Sequence, residues 1–498
     1  MFFKKMKKIF FNGKIFDENF NLNKNLVVED GKIVYIGNED LIIPDKHEKI
    51  NLKNSYVLTG FFDSHLHLYL FSKSLFELNL SNLDNFDDVI KKLKEYKNNN
   101  NIVYGFGWDD EKWRTKPDKK FLDEIFKDKY VILKRRDGHS VWVNSKVLNE
   151  ININEISKIK GSKVELDSNG NPTGLLREKP VDKVFELFKE KENIDNILKE
   201  GIKKLHSYGI TSVCNMDGNI LLNLMKNRFR LRIVNSIPLN KMEDAISLGI
   251  RSGFGDSFLK IGGVKIFMDG SLGSKTAYMK ESFEDEKGNF GVKYFDEDEL
   301  DEIVKEANIN GLYVWIHAIG DRANETVIKT ITKKGRDRLN RIEHAQIVSE
   351  NFLNLLKKKT FLSVQPSHII LDIDKIEKFL GKRGKYAYAF NSLIKYGAEL
   401  VFGTDAPIEN PDPLRGVEIA VDRNVFGKEF YKDEAIDVKE AIKAYTLNPA
   451  KSVDMDGFIG SLSVGKFADF ATFTDDPLSF KGELISTYIE GEKIFSND

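Results

Sequence analysis

Two histidines one residue apart close the stretch Gly60-Phe61-Phe62-Asp63-Ser64-His65-Leu66-His67-Leu68. The apolar run Tyr56–Phe62 ahead of them predicts a strand, and alternation along a strand puts His65 and His67 on one face. Two imidazoles side by side at the mouth of a buried strand can chelate a metal ion; the alternative is two ordinary loop histidines. His317 follows Val314-Trp315-Ile316, and His344 follows Arg341-Ile342-Glu343. A lone histidine after an apolar strand is more often a satisfied core residue. Four inward imidazoles at strand ends are costly to bury unless something uses their lone pairs. Asp405, in Phe402-Gly403-Thr404-Asp405-Ala406-Pro407, ends another apolar run. It serves either as a helix N-cap or turn residue, or as a metal ligand that also takes a proton from metal-activated water, whose pKa on zinc falls to about 7. Lys265 interrupts the run Gly262–Met268, where an unpaired ammonium is strongly disfavoured. It either pairs with a carboxylate such as Asp269 or Asp405, or captures carbon dioxide as a carbamate able to bridge two divalent cations.

Other residues are candidates for touching a substrate. His139, in Asp137-Gly138-His139-Ser140, can donate to a substrate carbonyl or its developing oxyanion, or stand as a surface loop histidine. Gln365 and, three residues on, His368 are similar candidates. Asp269 and Ser271, and Asp321 with Arg322, follow strand-like runs and either orient ligands or cap the next helices. Phe106, Trp108, Trp113 and Trp142 form either an apolar wall for a substrate or buried packing.

The elements that must position these groups read as an α/β fold. Apolar strand-like runs alternate with amphipathic stretches, the pattern of a parallel sheet. Eight runs, Tyr56–Phe62, Gly209–Met216, Phe229–Ile237, Gly262–Met268, Gly311–Ile316, Arg341–His344, Phe361–Gln365 and Glu399–Gly403, predict a (β/α)8 barrel over 56–454 with chemistry at the C-terminal strand ends. About 140 residues part the first two runs, too many for one crossover. Residues 70–200 therefore read as an inserted subdomain lying over the barrel mouth, with a helix at Phe86–Tyr96, strands at Ile102–Trp108 and Tyr130–Lys134, and a helical pattern at Val181–Gly201. Both chain ends look β-rich. Ile9-Phe10-Phe11 and Lys14-Ile15-Phe16 flank Asn12-Gly13, Leu26–Gly37 turns at Asp30-Gly31, and Phe467–Phe473 precedes a hairpin at Thr487–Phe495. Neither end has strands enough for its own core, so 1–55 and 455–498 are expected to pair into one composite β-sandwich.

Composition narrows the function classes. The 498 residues carry Lys+Arg 76 against Asp+Glu 77, net charge −1, with no long basic block, which argues against a nucleic-acid partner. One cysteine, Cys214, rules out an internal disulfide and reads as buried filler in Ile210–Cys214. The N-terminal stretch lacks an apolar signal core, and no window reaches the length of a membrane span. The expectation is a cytoplasmic protein with a small-molecule substrate and no membrane partner; a homodimer stays open.

Taken in order, Gly60–His67, Gly263–Lys275, His317-Ala318-Ile319-Gly320-Asp321, Arg341–Ala345, Gln365-Pro366, Gly403-Thr404-Asp405 and Gly465–Asp469 resemble the amidohydrolase superfamily, and within it the YtcJ-like group of amidohydrolase family 3. The resemblance as a whole extends from residue 9 to residue 478. The resemblance implies a metal-dependent hydrolase on a (β/α)8 TIM barrel with a composite β-sandwich. It implies one metal at His65 and His67, a second at His317 and His344, Lys265 bridging as a carbamate, and Asp405 completing the site. One or two zinc ions are expected, two if Lys265 is carbamylated. Every ligand type is present. The expected reaction is hydrolysis of a non-peptide C–N bond, most simply an amide, with Asp405 as general base. Deamination or another hydrolysis on the same site is the alternative, and a non-catalytic binding protein a further one.

Overall fold

The run Tyr56–Phe62 does not form one strand. In the computed structural model of the chain, Tyr56–Thr59 and Phe61–Leu66 are separate strands. Gly60 between them packs so tightly that a Cβ would lie 2.3 Å from the Thr211 hydroxyl oxygen. Only a residue without a side chain fits that approach. The structure describes residues 7–39, 47–81, 83, 85–97, 100–110, 113–135, 140–156, 162–189, 193–335, 339–356 and 360–497. By its internal contacts the chain divides into two units, Met1–Phe71 with Lys199–Asp498, and Ser72–Leu198.

The first unit holds eight parallel strands paired in chain order. They are β1 (Phe61–Leu66), β2 (Ile210–Asn215), β3 (Arg232–Pro238), β4 (Leu259–Phe267), β5 (Val314–Ala318), β6 (Arg341–His344), β7 (Thr360–Val364) and β8 (Ala398–Phe402). Their interiors are almost wholly buried, as expected of a parallel sheet covered on both faces. Helices between them carry their own start signals. Glu297–Ile309 opens on a capping box of Asp296 with Glu299. Beyond β8 the chain bonds back to β1: the Asp405 amide donates to the His65 carbonyl (2.7 Å) and the His67 amide to that of Ala406 (3.0 Å). The result is a nearly closed barrel of the TIM type. Gly403 lies on the seam, where a Cβ would stand 2.5 Å from the His65 nitrogen. Cys214 is buried with Phe62, Val234 and Trp315, and burial pushes its thiol up to about 11.

Besides a two-stranded ribbon, Asn424–Val425 with Lys428–Glu429, the described residues of the same unit form two larger sheets. Lys8–Phe11, Asn25–Glu29, Lys32–Gly37 and Glu48–Asn51 form one; Lys14–Phe16, Leu22–Asn23, Tyr56–Thr59, Phe470–Phe473, Leu484–Ile489 and Glu492–Ser496 form the other. In the second, C-terminal strands join N-terminal ones through Phe470–Phe473 against Tyr56–Thr59. Phe10, Leu26 and Val28 of one sheet and Val57, Phe470 and Tyr488 of the other share one hydrophobic cluster. The strands either side of Asn12-Gly13 are not a hairpin. They enter different sheets, and Gly13 packs so that a Cβ would lie 2.6 Å from Leu52. Asp30-Gly31 and Glu490-Gly491 do make tight turns, with positive φ at both residues of each.

The second unit has a six-stranded sheet, in the order Ser162–Leu166, Pro172–Glu178, Ser140–Val143, Tyr130–Arg135, Ile102–Trp108, Glu77–Asn79. Asn85 caps the helix Phe86–Glu95, and the pattern at Val181–Gly201 belongs to two helices, Lys179–Lys189 and Ile194–His206. Trp108 and Trp142 are fully buried beside Phe86, with Trp113 packed on them. The Trp108 indole N–H donates to the Leu133 carbonyl (2.8 Å). Trp108 is therefore committed to this unit's own core rather than to a substrate wall. Among the described residues no helix is long and apolar enough to cross a membrane.

Candidate metal centre

The C-terminal ends of β1, β4, β5 and β6 and the turn after β8 bring His65, His67, Lys265, His317, His344 and Asp405 together. Imidazole centroids lie 4.8 Å apart for His65 and His344, 4.4 Å for His317 and His344, and 6.0 Å for His65 and His67. Lys265 Nζ is 3.4 Å from His65 Nε2. Two of these residues reach the site through left-handed backbone: φ is 73° at His344 and 56° at Asp405. Such conformations are disfavoured for residues with a Cβ and persist where the surrounding structure holds them.

Hydrogen bonding fixes which ring nitrogen keeps a lone pair. His65 Nδ1 faces Glu343 Oε2 at 2.6 Å, His67 Nδ1 faces Asp217 Oδ1 at 2.8 Å, and His344 Nδ1 faces Gln365 Oε1 at 2.8 Å. Each oxygen accepts, so each Nδ1 carries the hydrogen and Nε2 is left with the lone pair. His317 is reversed: its Nε2 donates to the Gly270 carbonyl at 2.9 Å, leaving Nδ1 bare. Nε2 of His65 and of His67 both stand 3.4 Å from Asp405 Oδ1. Ligands on a tetrahedral zinc ion are about 3.3 Å apart, given bond lengths near 2.0–2.1 Å. The ligand atoms of His65, His344 and Asp405 all fall within 4.8 Å of one another. His65, His344 and Asp405 are thus a donor set of the kind that holds a metal ion.

The electrostatics agree with that use. Burial, then the Lys265 charge, holds His65 well below its ordinary value and His317 down at about 3. Burial and the neighbouring imidazoles do the same for His344. All three are neutral, the form that ligates metal. Burial lowers Lys265 to about 8, against the pull of Glu343 and Asp405. Burial raises Asp405, opposed chiefly by His368, His67 and Lys265.

Of the candidate substrate contacts, Gln365 and His368 lie at the site and His139 lies outside the described residues. Gln365 bonds His344 through its oxygen, and its amide nitrogen has no partner among the described residues. Asp269 is instead a loop clamp: its carboxylate accepts from the amides of Ile319, Gly320 and Tyr278 at 2.8–3.0 Å. Burial still raises it to about 7. Three carboxylates escaped the sequence reading. Glu343 bonds both His65 and Arg341 Nε (2.6 Å). Asp217 takes the amides of Tyr69 and Leu70 as well as His67. Asp63 receives the His65 amide and, at 2.6 Å, the Thr404 hydroxyl, tying β1 to the turn after β8. For Glu343 the signal was an acidic residue beside His344 at a strand end; Asp217 has no such neighbour.

The amidohydrolase family profile matches residues 48–495. The chain is 30% identical to the protein YtcJ of Bacillus subtilis (strain 168), over 98% of this chain and 99% of that one. It is 22% identical to an N-substituted formamide deformylase of Arthrobacter pascens, over 96% of each. Among solved structures, an uncharacterized metal-dependent hydrolase from Pyrococcus horikoshii OT3 superposes with a TM-score of 0.79 at 31% identity, covering 98% of this chain and 100% of that one.

Proposed function

This chain belongs to the amidohydrolase family, and from that premise we propose that it is a metal-dependent hydrolase of non-peptide C–N bonds, of the amide type. The observation that carries the reading is the set of hydrogen bonds that frees one lone pair on each of four histidines, two of them 3.4 Å from the Asp405 carboxylate. In this reading His65, His67, His317, His344, Asp405 and a carbamylated Lys265 would hold one or two zinc ions. A divalent ion held there supplies Lewis-acid activation of water and carbonyl. Asp405 takes the proton of the attacking water and delivers it to the leaving nitrogen. Glu343, Asp217 and Gln365 keep the imidazoles in the ligating tautomer. The Gln365 amide nitrogen and His368 face the substrate. The two sheets at the chain ends are read as one composite β-sandwich. The name of the Arthrobacter relative supports C–N cleavage, and the shared family supports the metal.

The test is Asp405→Asn, assayed on N-acyl amino acids, formamides and cyclic amides. The variant is expected to keep its fold and most of its metal and to lose hydrolysis by at least about a hundredfold. Full activity would refute the role of Asp405.

A further inference from the structure

His368 ends the single turn Pro366–His368 after β7 and is buried. Its ring lies nearly parallel to His344, 21° between planes and 6.3 Å between centroids. The Thr404 backbone acts on the ring as a hydrogen-bond acceptor, which favours the hydrogen on the nitrogen facing it. The other, Nε2, is buried with no hydrogen-bond partner among the described residues. It points at Asp405 Oδ2, 3.8 Å away. A neutral imidazole lone pair and a carboxylate oxygen are both acceptors and cannot satisfy each other, and a buried acceptor without a donor is expensive. A nitrogen about 2.9 Å from each atom would bond both.

We propose that His368 Nε2 accepts a hydrogen from the leaving nitrogen of the substrate, so that this site selects amides whose nitrogen carries a hydrogen. The inference rests on the amide-hydrolase reading above. In that reaction water adds its oxygen to the carbonyl carbon and gives a proton to Asp405. Asp405 passes that proton to nitrogen, and the C–N bond breaks with its electron pair on nitrogen, giving a carboxylic acid and an amine. At the point of cleavage the nitrogen of a secondary amide carries two hydrogens. The one from Asp405 stays directed at Oδ2, and the one it brought meets His368 Nε2. An N-methylated amide brings none and leaves Nε2 unpaired. A site built around such a donor rejects the analogue that lacks it.

The experiment compares N-phenethylformamide, N-methyl-N-phenethylformamide and phenethyl formate on zinc-loaded wild type, His368→Ala and His368→Gln, with metal content measured for each protein. Wild type is expected to prefer the secondary over the N-methylated amide by about a hundredfold or more in kcat/KM. His368→Ala should bring that ratio close to one with the zinc content unchanged, and His368→Gln, which restores an acceptor oxygen, should recover part of it. Loss of zinc in His368→Ala would make the residue a metal ligand and overturn the proposal. So would an equal fall on both amides, or a wild type indifferent to N-methylation. A zinc-loaded wild type that cleaves the ester and neither amide would overturn the amide reading itself, and the inference with it.

Discussion

Glu343 joins the metal site to the barrel interior, and its replacement by glutamine separates the two effects it has. Its side chain is fully buried, with one oxygen 2.6 Å from Arg341 Nε and the other 2.6 Å from His65 Nδ1. Glutamine has nearly the same shape but one acceptor oxygen and a donor in place of the second. If the oxygen serves Arg341, the amide NH2 meets His65 Nδ1 and drives the ring hydrogen to Nε2, which removes the lone pair facing Asp405. If the oxygen serves His65, a buried guanidinium meets a donor. Among the described residues Arg341 keeps the Ser64 carbonyl (2.9 Å), weaker contacts to Ser452 and Cys214, and the Trp315 ring. Breaking a buried ion pair from one side costs about 3–5 kcal/mol. The retained contacts put Glu343→Gln at the lower end, about 3 kcal/mol, read from urea midpoints of chelator-treated protein. Loss of a carboxylate behind a ligating histidine weakens metal binding about 10–100-fold, read by zinc competition with a chromophoric chelator. Arg341→Met with Glu343→Gln removes the stranded charge and should recover stability without recovering affinity. A Glu343→Gln protein within about 0.5 kcal/mol of wild type and unchanged in zinc affinity would refute the reasoning.

Gly403→Ala should displace β1 at the barrel seam, because the new methyl would stand 2.5–2.6 Å from His65 backbone and Cβ atoms; overpacking of this kind costs about 1–3 kcal/mol, read as a lowered urea midpoint together with weaker zinc binding. His206, buried and bonded to the Ile210 carbonyl, is held down at about 4 by burial. An unfolded histidine titrates near 6.5, so the unfolded chain takes up a proton that the folded one refuses. The stability tied to this residue is complete above about pH 6.5 and is lost as pH falls toward 4, by about 3 kcal/mol at about 1.36 kcal/mol per unit. His206→Gln should lose correspondingly less between pH 7.5 and 4, and equal losses in the two proteins would exclude His206 as the cause.

The barrel was legible because its strands are long apolar runs that end in polar chemistry, as Val314–His317 and Ala398–Asp405 show. What the sequence blurred were places where one residue's lack of a side chain changes the path. Tyr56–Phe62 reads as one strand, yet contact of Gly60 with Thr211 divides it between two sheets. Asn12-Gly13 has hairpin chemistry, but Leu52 and the next strand draw its flanks apart. In the site, the histidines, Lys265 and Asp405 stood out by type and position. The partners that set their tautomers did not, since Glu343 reaches His65 across 278 residues and Asp217 reaches His67 across 150. Trp108 shows the converse: an aromatic cluster has the same composition whether it lines a cavity or fills a core, and only packing decides.

The central claim is that the convergent histidines and Asp405 form a metal site that performs hydrolysis. The measurement that bears on it most directly is a zinc titration of chelator-stripped protein, followed by hydrolysis of a secondary formamide. The account predicts no activity in the stripped protein and a rate that rises with zinc and saturates at one or two equivalents per chain. Hydrolysis by the stripped protein at the full rate, or zinc taken up without any gain in rate, would contradict it.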